Sequence, residues 1–396
     1  MQIVHGKHSS MIKRVYLDHT ATTPVAPEVV DAMLPYFRET YGNASSVHWF
    51  GQRAKEALER ARGTIARAIG AEPGEVFFTS GGTEADNLAI VGSAHAGRSR
   101  GKNHVVTTKA EHHAVLEPCD RLAEEGFAVT SLPVDGFGST DADHVRAVVG
   151  GSTALVSVML ANNEVGSISP VRQIAEAAHA CGARMHTDAA QAFGKIPVDA
   201  GDLDVDLMTL SAHKMYGPKG IGALYVRRGT DLDPMLRGGG QERGKRPGTE
   251  SVALAVGFAK AVELALAGLA TESARLRGFR DRLERELCVA LPEIILNGDP
   301  SHRLPHVANI SFDSSKVKLE GEMLVMNMDL RGIAVTSGSA CSSGSMQPSH
   351  VLLAMGRDQA TARATLRFSF GRGNSEEDVE YAVSQLREVI AQMRPR

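Results

Sequence analysis

Hydrophobic and polar positions along residues 75–226 alternate between two kinds of segment. Short runs rich in β-branched and aromatic residues are typical of buried strands, and these runs are EVFFTS, HVVTT, AVTSLPV, TALVSVML, RMHTDAA, LMTLS and GALYV. Segments with apolar residues at helical spacing lie between them, and these are DNLAIVGSAHAG, AVLEPCDRLAEEG, DADHVRAVVG and VRQIAEAAHACG. Such alternation predicts an α/β fold with a mostly parallel, seven-stranded sheet that is flanked by helices on both faces.

The pattern changes after about residue 265. A long charged helical stretch is followed by strands around VANISF and TLRFSF, and the last helix begins with Ser375 and Asp378 in a capping-box pattern. We therefore predict a large ligand-binding domain over residues 25–265 and a smaller α+β domain over 266–396. Residues 1–24 are expected to pack with the smaller domain.

Composition excludes several classes of protein. The chain has 396 residues, of which 43% are hydrophobic and 22% charged, and its formal net charge is −3, so it is an ordinary globular protein without the basic surplus of a nucleic-acid binder. No run approaches the roughly 18 apolar residues of a membrane-spanning helix, and the first residues lack the apolar block of a signal peptide. Four widely separated cysteines, with no CxxC pair, argue against a disulfide framework or a structural metal. We expect a cytoplasmic protein that has no nucleic-acid or membrane partner.

Two glycine-rich runs in the sequence are candidates for a phosphate site. In GGTEADN, a glycine turn after the strand VFFTS leads into a helix that begins near Gly82 and Thr83, and free N–H groups at such a helix start favour an anion. Glycine turns before helices are also common without this function. The run GGGQERGKRPGT has the GxxxxGK spacing, but Arg246 stands where a nucleotide P-loop needs Ser or Thr, so we do not expect a P-loop there.

Polar side chains follow three further predicted strands, namely Asn163, then Asp188 and Gln191, then Ser211, His213 and Lys214. Each has an ordinary interpretation, because an aspartate at a strand end is commonly a cap and a lysine before a glycine turn is commonly solvated. Ligands bind beside the carboxyl ends of strands in a parallel sheet, so these side chains are expected to face one site. A lysine, a carboxylate, amide groups and a phosphate-ready helix start are the groups that pyridoxal phosphate (PLP) needs.

The resemblance to a known family rests on ten segments, which are YLDHTATTPV, YGNASSVHWFG, FTSGGTEADN, TKAEHHAV, NNEVG, TDAAQ, SAHKMYGPKG, GGGQERGKRPGT, TSGSACSSGSMQPSHVL and LRFSFGR. In this order, from about Tyr16 to the C-terminus, they resemble the successive motifs of the cysteine desulfurases of the NifS/IscS type. These are class V, fold-type I PLP enzymes. The joint match is far more specific than any single motif.

The resemblance implies a role for each cofactor residue. Lys214 would form the Schiff base with PLP, and Asp188 would keep the pyridine nitrogen protonated. Gln191 and Asn163 would bond near the phenolic oxygen, and Asn163 would also contact the substrate. His112 in TKAEHH would stack on the ring and take part in catalysis, although without the family it is interpreted as a surface histidine.

The phosphate group and the oligomeric state are implied in the same way. Gly82, Thr83, Ser211 and His213 would hold the phosphate within one subunit. Thr249 in RPGT would reach the phosphate of the partner subunit, which implies a homodimer.

Substrate binding is assigned mainly to Arg367 in LRFSFGR, which would pair with the α-carboxylate of L-cysteine. By pattern alone it is equally well a surface arginine on a strand. Asn43 would assist at the same carboxylate, although Ala44 replaces the proline of many family members. His19 and Thr20 replace the commoner tyrosine and alanine at positions that lie near the entrance in the family, so we expect them to affect substrate access.

The segment TSGSACSSGSMQP, residues 336–348, carries Cys341 among serines and glycines. In the implied reaction its thiolate takes the substrate sulfur as a persulfide, leaving alanine, and a mobile loop then delivers the sulfur. The loop resembles that of the NifS/IscS group more than the shorter loop of the SufS group, which implies an acceptor in iron–sulfur cluster assembly or tRNA thiolation. No resident metal is expected, but Cys341 would transiently share a cluster with a scaffold. The other three cysteines, Cys119, Cys181 and Cys288, are expected to be small apolar fillers in helices.

Two alternatives stay open at this point. A selenocysteine lyase or another class V enzyme such as an aminotransferase would share Lys214 and Asp188, and the cysteine loop counts against an aminotransferase. A partner-binding scaffold would keep the fold without chemistry, and the presence of Lys214, Asp188 and His112 counts against it.

Overall fold

The computed structural model describes residues 13–338 and 347–394. The strands of these ranges are β1 (Val15–Tyr16), β2 (Val76–Thr79), β3 (His104–Thr108), β4 (Ala128–Leu132), β5 (Thr153–Ser157), β6 (Arg184–Asp188), β7 (Leu207–Ser211), β8 (Gly222–Val226), β9 (Ile294–Asn297), β10 (Val307–Phe312), β11 (Ile333–Ala334) and β12 (Thr365–Ser369). The α-helices are α1 (Pro27–Met33), α2 (Pro35–Arg38), α3 (Trp49–Ala68), α4 (Gly82–Arg98), α5 (His113–Glu124), α6 (Ala142–Arg146), α7 (Val171–Ala180), α8 (Ala200–Leu203), α9 (Val252–Ala267), α10 (Leu269–Ala290), α11 (Gly321–Leu330), α12 (His350–Ala354), α13 (Gln359–Arg363) and α14 (Glu376–Met393). Short 3-10 helices lie at Pro73–Glu75, Ala212–Lys214 and Gln241–Gly244.

Seven strands form the central sheet, in the order β2-β8-β7-β6-β5-β3-β4. Every neighbouring pair is parallel except those that β8 makes with β2 and β7. All seven correspond to the predicted strands, so the prediction of a mostly parallel sheet is confirmed. The sequence signal was strong because strands such as β3, β5 and β7 are buried at every residue and consist mostly of apolar and β-branched residues.

Helices cover both faces of this sheet. Buried residues of α3, α7 and α9 pack in one apolar cluster against one face. Buried residues of α4 and α5 pack in a second cluster against the other face. The predicted two-sided arrangement is therefore present, and it leaves the carboxyl ends of β5, β6 and β7 as the place where polar residues emerge.

A separate apolar core joins β1, α10, β10, α11, β11, β12 and α14. Its antiparallel sheet has the order β12-β10-β9, and β1 pairs in parallel with β11. The expected strands VANISF and TLRFSF are present as β10 and β12, and the capping box of Ser375 and Asp378 is present at the start of α14. Val15 and Leu17 belong to this core, which favours the division into residues 1–24, 25–265 and 266–396. The domain boundaries themselves stay a prediction.

No helix in the described part of the chain is by itself long and apolar enough to cross a membrane. The pair α9 and α10 reaches that length and composition only when taken together across a 73° bend. Buried residues of α9 belong to the apolar cluster with α3 and α7.

Candidate active site

A cavity of about 260 Å³ lies at the carboxyl ends of β5, β6 and β7 and the start of α4. Its lining residues are Gly82, Thr83, Asp86, His112, Met159, Ala161, Asn163, Asp188, Ala190, Gln191, Ser211, His213 and Lys214. We call it the strand-end cavity. Of the ten residues assigned to the cofactor from the sequence, nine line it, and Thr249 is the exception.

Lys214 ends the short 3-10 helix that follows β7. Its Nζ donates hydrogen bonds to the carbonyl oxygens of Thr20, at 2.7 Å, and Ala21, at 2.9 Å. Burial, with a smaller contribution from the positive charge of Arg367, lowers the pKa of Lys214 to about 8. A larger share of this amine is therefore neutral near neutral pH than for an exposed lysine, and the neutral amine is the nucleophilic form.

Asp188 and His112 line the cavity beside Lys214. Asp188 is the last residue of β6, and its Oδ1 accepts a hydrogen bond from the Ala190 N–H at 2.8 Å. Burial raises the pKa of Asp188, so a cationic group placed against it would be needed to favour the carboxylate. His112 is the N-cap of α5, and its Nδ1 accepts from the Ala114 N–H at 3.1 Å. Burial lowers the pKa of His112, so a neutral ring with its proton on Nε2 faces the cavity.

Three buried oxygens on the cavity wall have no hydrogen-bond partner among the described residues, and these are Asn163 Oδ1, Ser211 Oγ and Asp86 Oδ1. Buried polar atoms are nearly always paired in folded proteins, so these atoms fit a polar ligand in the cavity. Together with the N-terminus of α4, a carboxylate and a lysine, they form a donor set that suits the phosphate, ring and aldehyde of PLP.

Two buried carboxyl groups near the cavity were not identified from the sequence. Asp86 lies one turn after Gly82 in α4, with its Oδ1 3.7 Å from His186 Nε2, and burial together with the charge of Asp188 raises its pKa. Glu111 accepts hydrogen bonds from Thr108 Oγ1 and from the Met159 N–H, and burial raises its pKa to about 8. The four-residue spacing between Gly82 and Asp86 was an available signal, because it places both on one face of a helix.

Arg367 is buried in β12, with 6% of its surface exposed, so its interpretation as a surface arginine is wrong. Its Nη2 donates to Asp18 Oδ1 at 2.9 Å, and its Nη1 donates to the Asn163 carbonyl oxygen at 2.8 Å. Its Nε is buried and has no partner among the described residues. Two nitrogens of the guanidinium are therefore fixed, and the Nε–H, which has no partner among the described residues, remains for a ligand.

Cys341 and the other residues of 339–346 lie outside the described residues. The segment before them is anchored beside Arg367. The Arg367 N–H donates to the Thr336 carbonyl oxygen at 2.6 Å, and the Thr336 N–H donates back to the Arg367 carbonyl oxygen at 3.4 Å. The segment that leads to Cys341 thus begins next to the proposed carboxylate-binding side chain.

Glu164 connects both sides of the same segment. Its Oε2 accepts a hydrogen bond from the hydroxyl of Ser349, and it lies so close to Gly338 that a Cβ there would be 2.9 Å away. Glu164 is 2% exposed and follows Asn163 directly in the chain. The two ends of the segment that carries Cys341 therefore meet at one buried carboxyl group beside the cavity.

Comparisons with known proteins agree with this geometry. Residues 15–382 match the family described as aminotransferase class-V. The chain is 46% identical over 386 residues to the cysteine desulfurase IscS of Clostridium botulinum, covering 97% of this chain and 96% of that protein. It is 44% identical over 381 residues to the cysteine desulfurase NifS of Azotobacter vinelandii, covering 96% and 93%. A solved structure of a NifS-like protein superimposes with a TM-score of 0.89 at 36% identity, covering 96% of this chain and all of that one.

The chain belongs to the cysteine desulfurases of the class-V aminotransferase family. Enzymes of this family depend on PLP. The fold-type I architecture that the resemblance implied is confirmed, since the mostly parallel seven-stranded sheet matches that of NifS-like structures.

Two residues of this desulfurase that the sequence assigned to cofactor or substrate binding lie away from the strand-end cavity. Thr249 is exposed and lines a different cavity of about 140 Å³ beside Glu242 and Arg246. Asn43 is exposed, and its Oδ1 accepts a hydrogen bond from the Ser45 N–H at 2.8 Å. Their roles in cofactor and substrate binding stay predictions.

His19 and Thr20, the two residues that depart from the family pattern, are buried in this desulfurase and do not lie at an open entrance. His19 is 4% exposed and Thr20 is 1% exposed. The Thr20 carbonyl oxygen accepts hydrogen bonds from both Lys214 Nζ and Gln191 Nε2, the latter at 3.0 Å. Position 20 thus contributes to the site through its backbone carbonyl group. This contribution depends little on which side chain the residue carries.

The cysteines that can be described differ in burial. Cys119 is buried in α5, and burial raises the pKa of its thiol to about 12, as expected for an apolar filler. Cys181 is half-buried and donates to the Ala178 carbonyl oxygen at 3.2 Å. Cys288 is exposed on α10, so its interpretation as a filler is wrong. No group of three or more His, Cys, Asp or Glu side chains in residues 13–338 and 347–394 is arranged to hold a metal ion.

Proposed function

We propose that this protein uses PLP to convert L-cysteine to L-alanine and transfers the sulfur to Cys341 as a persulfide. One observation carries the proposal. Lys214, Asp188 and His112 line one cavity that has unpartnered polar atoms, and Arg367 beside it is bonded to the segment that leads to Cys341. The relatives to which the chain is 44–46% identical are named cysteine desulfurases, and this combination of residues suits that activity.

The residues proposed to hold PLP divide by the part of the cofactor they face. Lys214 would hold the aldehyde carbon of PLP, Asp188 would pair with the pyridine nitrogen, and His112 would lie against the ring. The other proposed contacts are Gln191 and Asn163 near the phenolic oxygen, and Gly82, Thr83, Ser211 and His213 at the phosphate. When bound, PLP withdraws electrons from the bonds at the substrate's α- and β-carbons.

Substrate binding is proposed at Arg367. Its unpartnered Nε–H, together with Asn163 and Asn43, would hold the α-carboxylate of L-cysteine, and a fixed guanidinium loses little entropy when it does so. The amine of Lys214 takes the proton from the substrate's α-carbon. A pKa near 8 suits a group that must both accept and return a proton close to neutral pH.

Sulfur transfer is proposed to use the thiolate of Cys341. It attacks the substrate sulfur, so that a new S–S bond forms while the C–S bond breaks. The electron pair of that bond stays on the carbon skeleton, which takes up a proton and leaves as alanine. L-Cysteine and the Cys341 thiol therefore become L-alanine and a Cys341 persulfide, with atoms and electrons in balance.

A homodimer is proposed in which Thr249 reaches the phosphate of the partner subunit. Thr249 is exposed at the end of residues 238–249, and two ion pairs hold this loop in place. Glu242 Oε2 lies 2.7 Å from Arg62 Nη1, and Glu84 Oε1 lies 2.7 Å from Arg246 Nε. Such anchoring favours a loop with a fixed outward contact.

The acceptor of the persulfide is proposed to be a protein of iron–sulfur cluster assembly or a tRNA-thiolation relay in the cytoplasm. Cys341 would transiently share a cluster with a scaffold partner. The experiment that tests the activity incubates the yellow, PLP-loaded protein with L-cysteine and a thiol reductant, and measures alanine and sulfide. We expect equal amounts of both. Turnover of L-selenocysteine without turnover of L-cysteine would contradict the proposal and favour a selenocysteine lyase.

A further inference from the structure

A second cavity, of about 250 Å³, is lined by Tyr216 and by residues at the end of α9 and the start of α10. We call it the Tyr216 cavity. One part of its wall is aliphatic and consists of Met215, Leu264, Ala265, Leu269, Leu276 and Pro305. Another part of the wall is charged and consists of Lys195, Glu272 and Arg372. A cavity with an apolar wall and a few charged groups is the usual form of a small-molecule site.

Lys195 is the unusual member of this wall. It is only 7% exposed, and no oxygen of residues 13–338 or 347–394 accepts a hydrogen bond from its ammonium group. Its Nζ lies 4.9 Å from the centre of the Tyr216 ring. Lys195 lines the cavity, and burial lowers the pKa of its amine to about 8, so an anion in the cavity would stabilise the charged form.

The charges around Lys195 do not supply that anion. The guanidinium of Arg372 lies 4.6 Å from the centre of the same Tyr216 ring and adds a second positive charge. Glu272 is the carboxylate of the described cavity wall, and Arg275 already holds both of its oxygens, at 2.9 and 2.8 Å. The described cavity wall therefore has two cations against one carboxylate, and Arg275 shares that carboxylate.

His306 is a further basic residue whose pKa is affected by the charge of Lys195. It is fully buried, and neither of its ring nitrogens has a partner in the described ranges. Burial lowers its pKa well below the usual value, and the charge of Lys195 lowers it further. His306 is therefore neutral near pH 7 and adds no positive charge beside Lys195.

We propose that the Tyr216 cavity binds a short aliphatic carboxylate, with its carboxylate between Lys195 and Arg372 and its chain against the aliphatic wall. At about 30 Å³ for each heavy atom, the volume suits a chain of about four to six carbons. An inorganic oxyanion would leave the aliphatic wall in contact with water. A free amino acid would need an acceptor for its ammonium group, and Glu272 is engaged by Arg275.

The test titrates hexanoate into the PLP-loaded protein by calorimetry, with hexanamide as the neutral analogue and sulfate as the inorganic anion. We expect saturable binding of hexanoate and at least about tenfold weaker binding of the other two, because a hydrogen bond to a charged group contributes about 1.5–3 kcal/mol. Lys195→Met should weaken hexanoate by about tenfold or more. Lys260→Met should not change it, because Lys260 lies on α9 but does not line the cavity, and it pairs with Glu263.

Equal binding of hexanoate and hexanamide, preferred binding of sulfate, or unchanged hexanoate affinity in Lys195→Met would each overturn the proposal. If Lys195→Met does not fold, Arg372→Gln replaces it, because Arg372 is exposed and its loss should weaken hexanoate by several-fold. The inference goes beyond the proposed desulfurase activity. The titration measures binding and not turnover, so an absence of hexanoate binding would leave the proposed desulfurase activity unaffected.

Discussion

Arg367 and Asp18 form a 2.9 Å ion pair between residues that are 349 positions apart in the chain. With the bond from Nη1 to the Asn163 carbonyl oxygen, this pair fixes the plane of the guanidinium and leaves Nε–H unpartnered. Asp18 is therefore a positioning residue for the group that we propose binds the substrate carboxylate.

Replacing Asp18 by Asn should raise the KM for L-cysteine by about tenfold with little change in kcat, because the neutral amide holds the guanidinium less firmly. Steady-state kinetics on PLP-loaded protein measure both constants. Asp31→Asn, at an exposed position of α1, is the matched control and should leave KM unchanged. A fall in kcat at constant KM would show that Asp18 acts in the chemical steps instead.

Glu164 should govern the placement of the segment that carries Cys341, since Ser349 and Gly338 both meet its carboxyl group. Glu164→Ala should slow alanine formation in a single turnover by about tenfold while the protein stays yellow, because the ends of the segment lose their common anchor. Glu164→Gln should recover most of the rate, since its amide oxygen can still accept from Ser349. Equal rates for the Ala variant and the wild type would contradict the anchoring role.

The uptake of PLP by the cofactor-free protein should depend on pH through Lys214. Burial lowers the pKa of this amine to about 8, so the neutral, nucleophilic form increases as pH rises through 8 and is nearly complete above 9. The rate of Schiff-base formation, followed by visible absorbance at pH values from about 6.5 to 9.5, should rise and then level off. A rate that still climbed toward the pKa of an ordinary lysine, with no plateau, would show that Lys214 is not perturbed in this way.

The parts of the fold that the sequence predicts depend on local patterns, whereas the parts that it does not predict depend on contacts between distant segments. Strands β3, β5 and β7 were identified because burial on both faces favours runs of apolar and β-branched residues. Lys214 and Asp188 were brought together in the prediction because the carboxyl ends of parallel strands meet at one edge. Both inferences use local sequence and a general rule of topology.

Contacts between distant segments had no such signal. The pair of Arg367 and Asp18 depends on how β12 packs beside the N-terminal segment, and the alternating pattern of TLRFSF does not encode it. Exposure of Cys288 was missed for a related reason. Leu283 and Leu287 mark the buried stripe of α10, and Cys288, one position later, is rotated about 100° away from Leu287.

The loop of residues 238–249 should depend on a buried ion pair. Glu242 is 5% exposed and accepts hydrogen bonds from Arg62 Nη1 and Nη2, both at 2.7 Å, and from the Phe78 N–H at 2.8 Å. Glu242→Gln removes the buried carboxylate and leaves Arg62 with only the more exposed Glu59, so it should lower the free energy of unfolding by about 3–5 kcal/mol.

Urea denaturation measures this loss, with Glu56→Gln as the matched control. Glu56 pairs with Arg53 at 2.8 Å on the exposed face of α3, and its replacement should cost less than about 1 kcal/mol. Similar losses for the two variants would mean that burial does not strengthen the dependence on Glu242.

The most direct test of the proposed sulfur transfer follows the sulfur itself. PLP-loaded protein is mixed with one equivalent of L-cysteine without reductant, and alanine is quantified while mass spectrometry locates the added sulfur atom. We predict one persulfide, on Cys341, with an equal amount of alanine, whereas Cys341→Ala stays yellow and forms almost no alanine, and Cys288→Ala behaves as the wild type. Normal alanine formation by Cys341→Ala, or persulfide on another cysteine with Cys341 unmodified, would contradict the role assigned to Cys341.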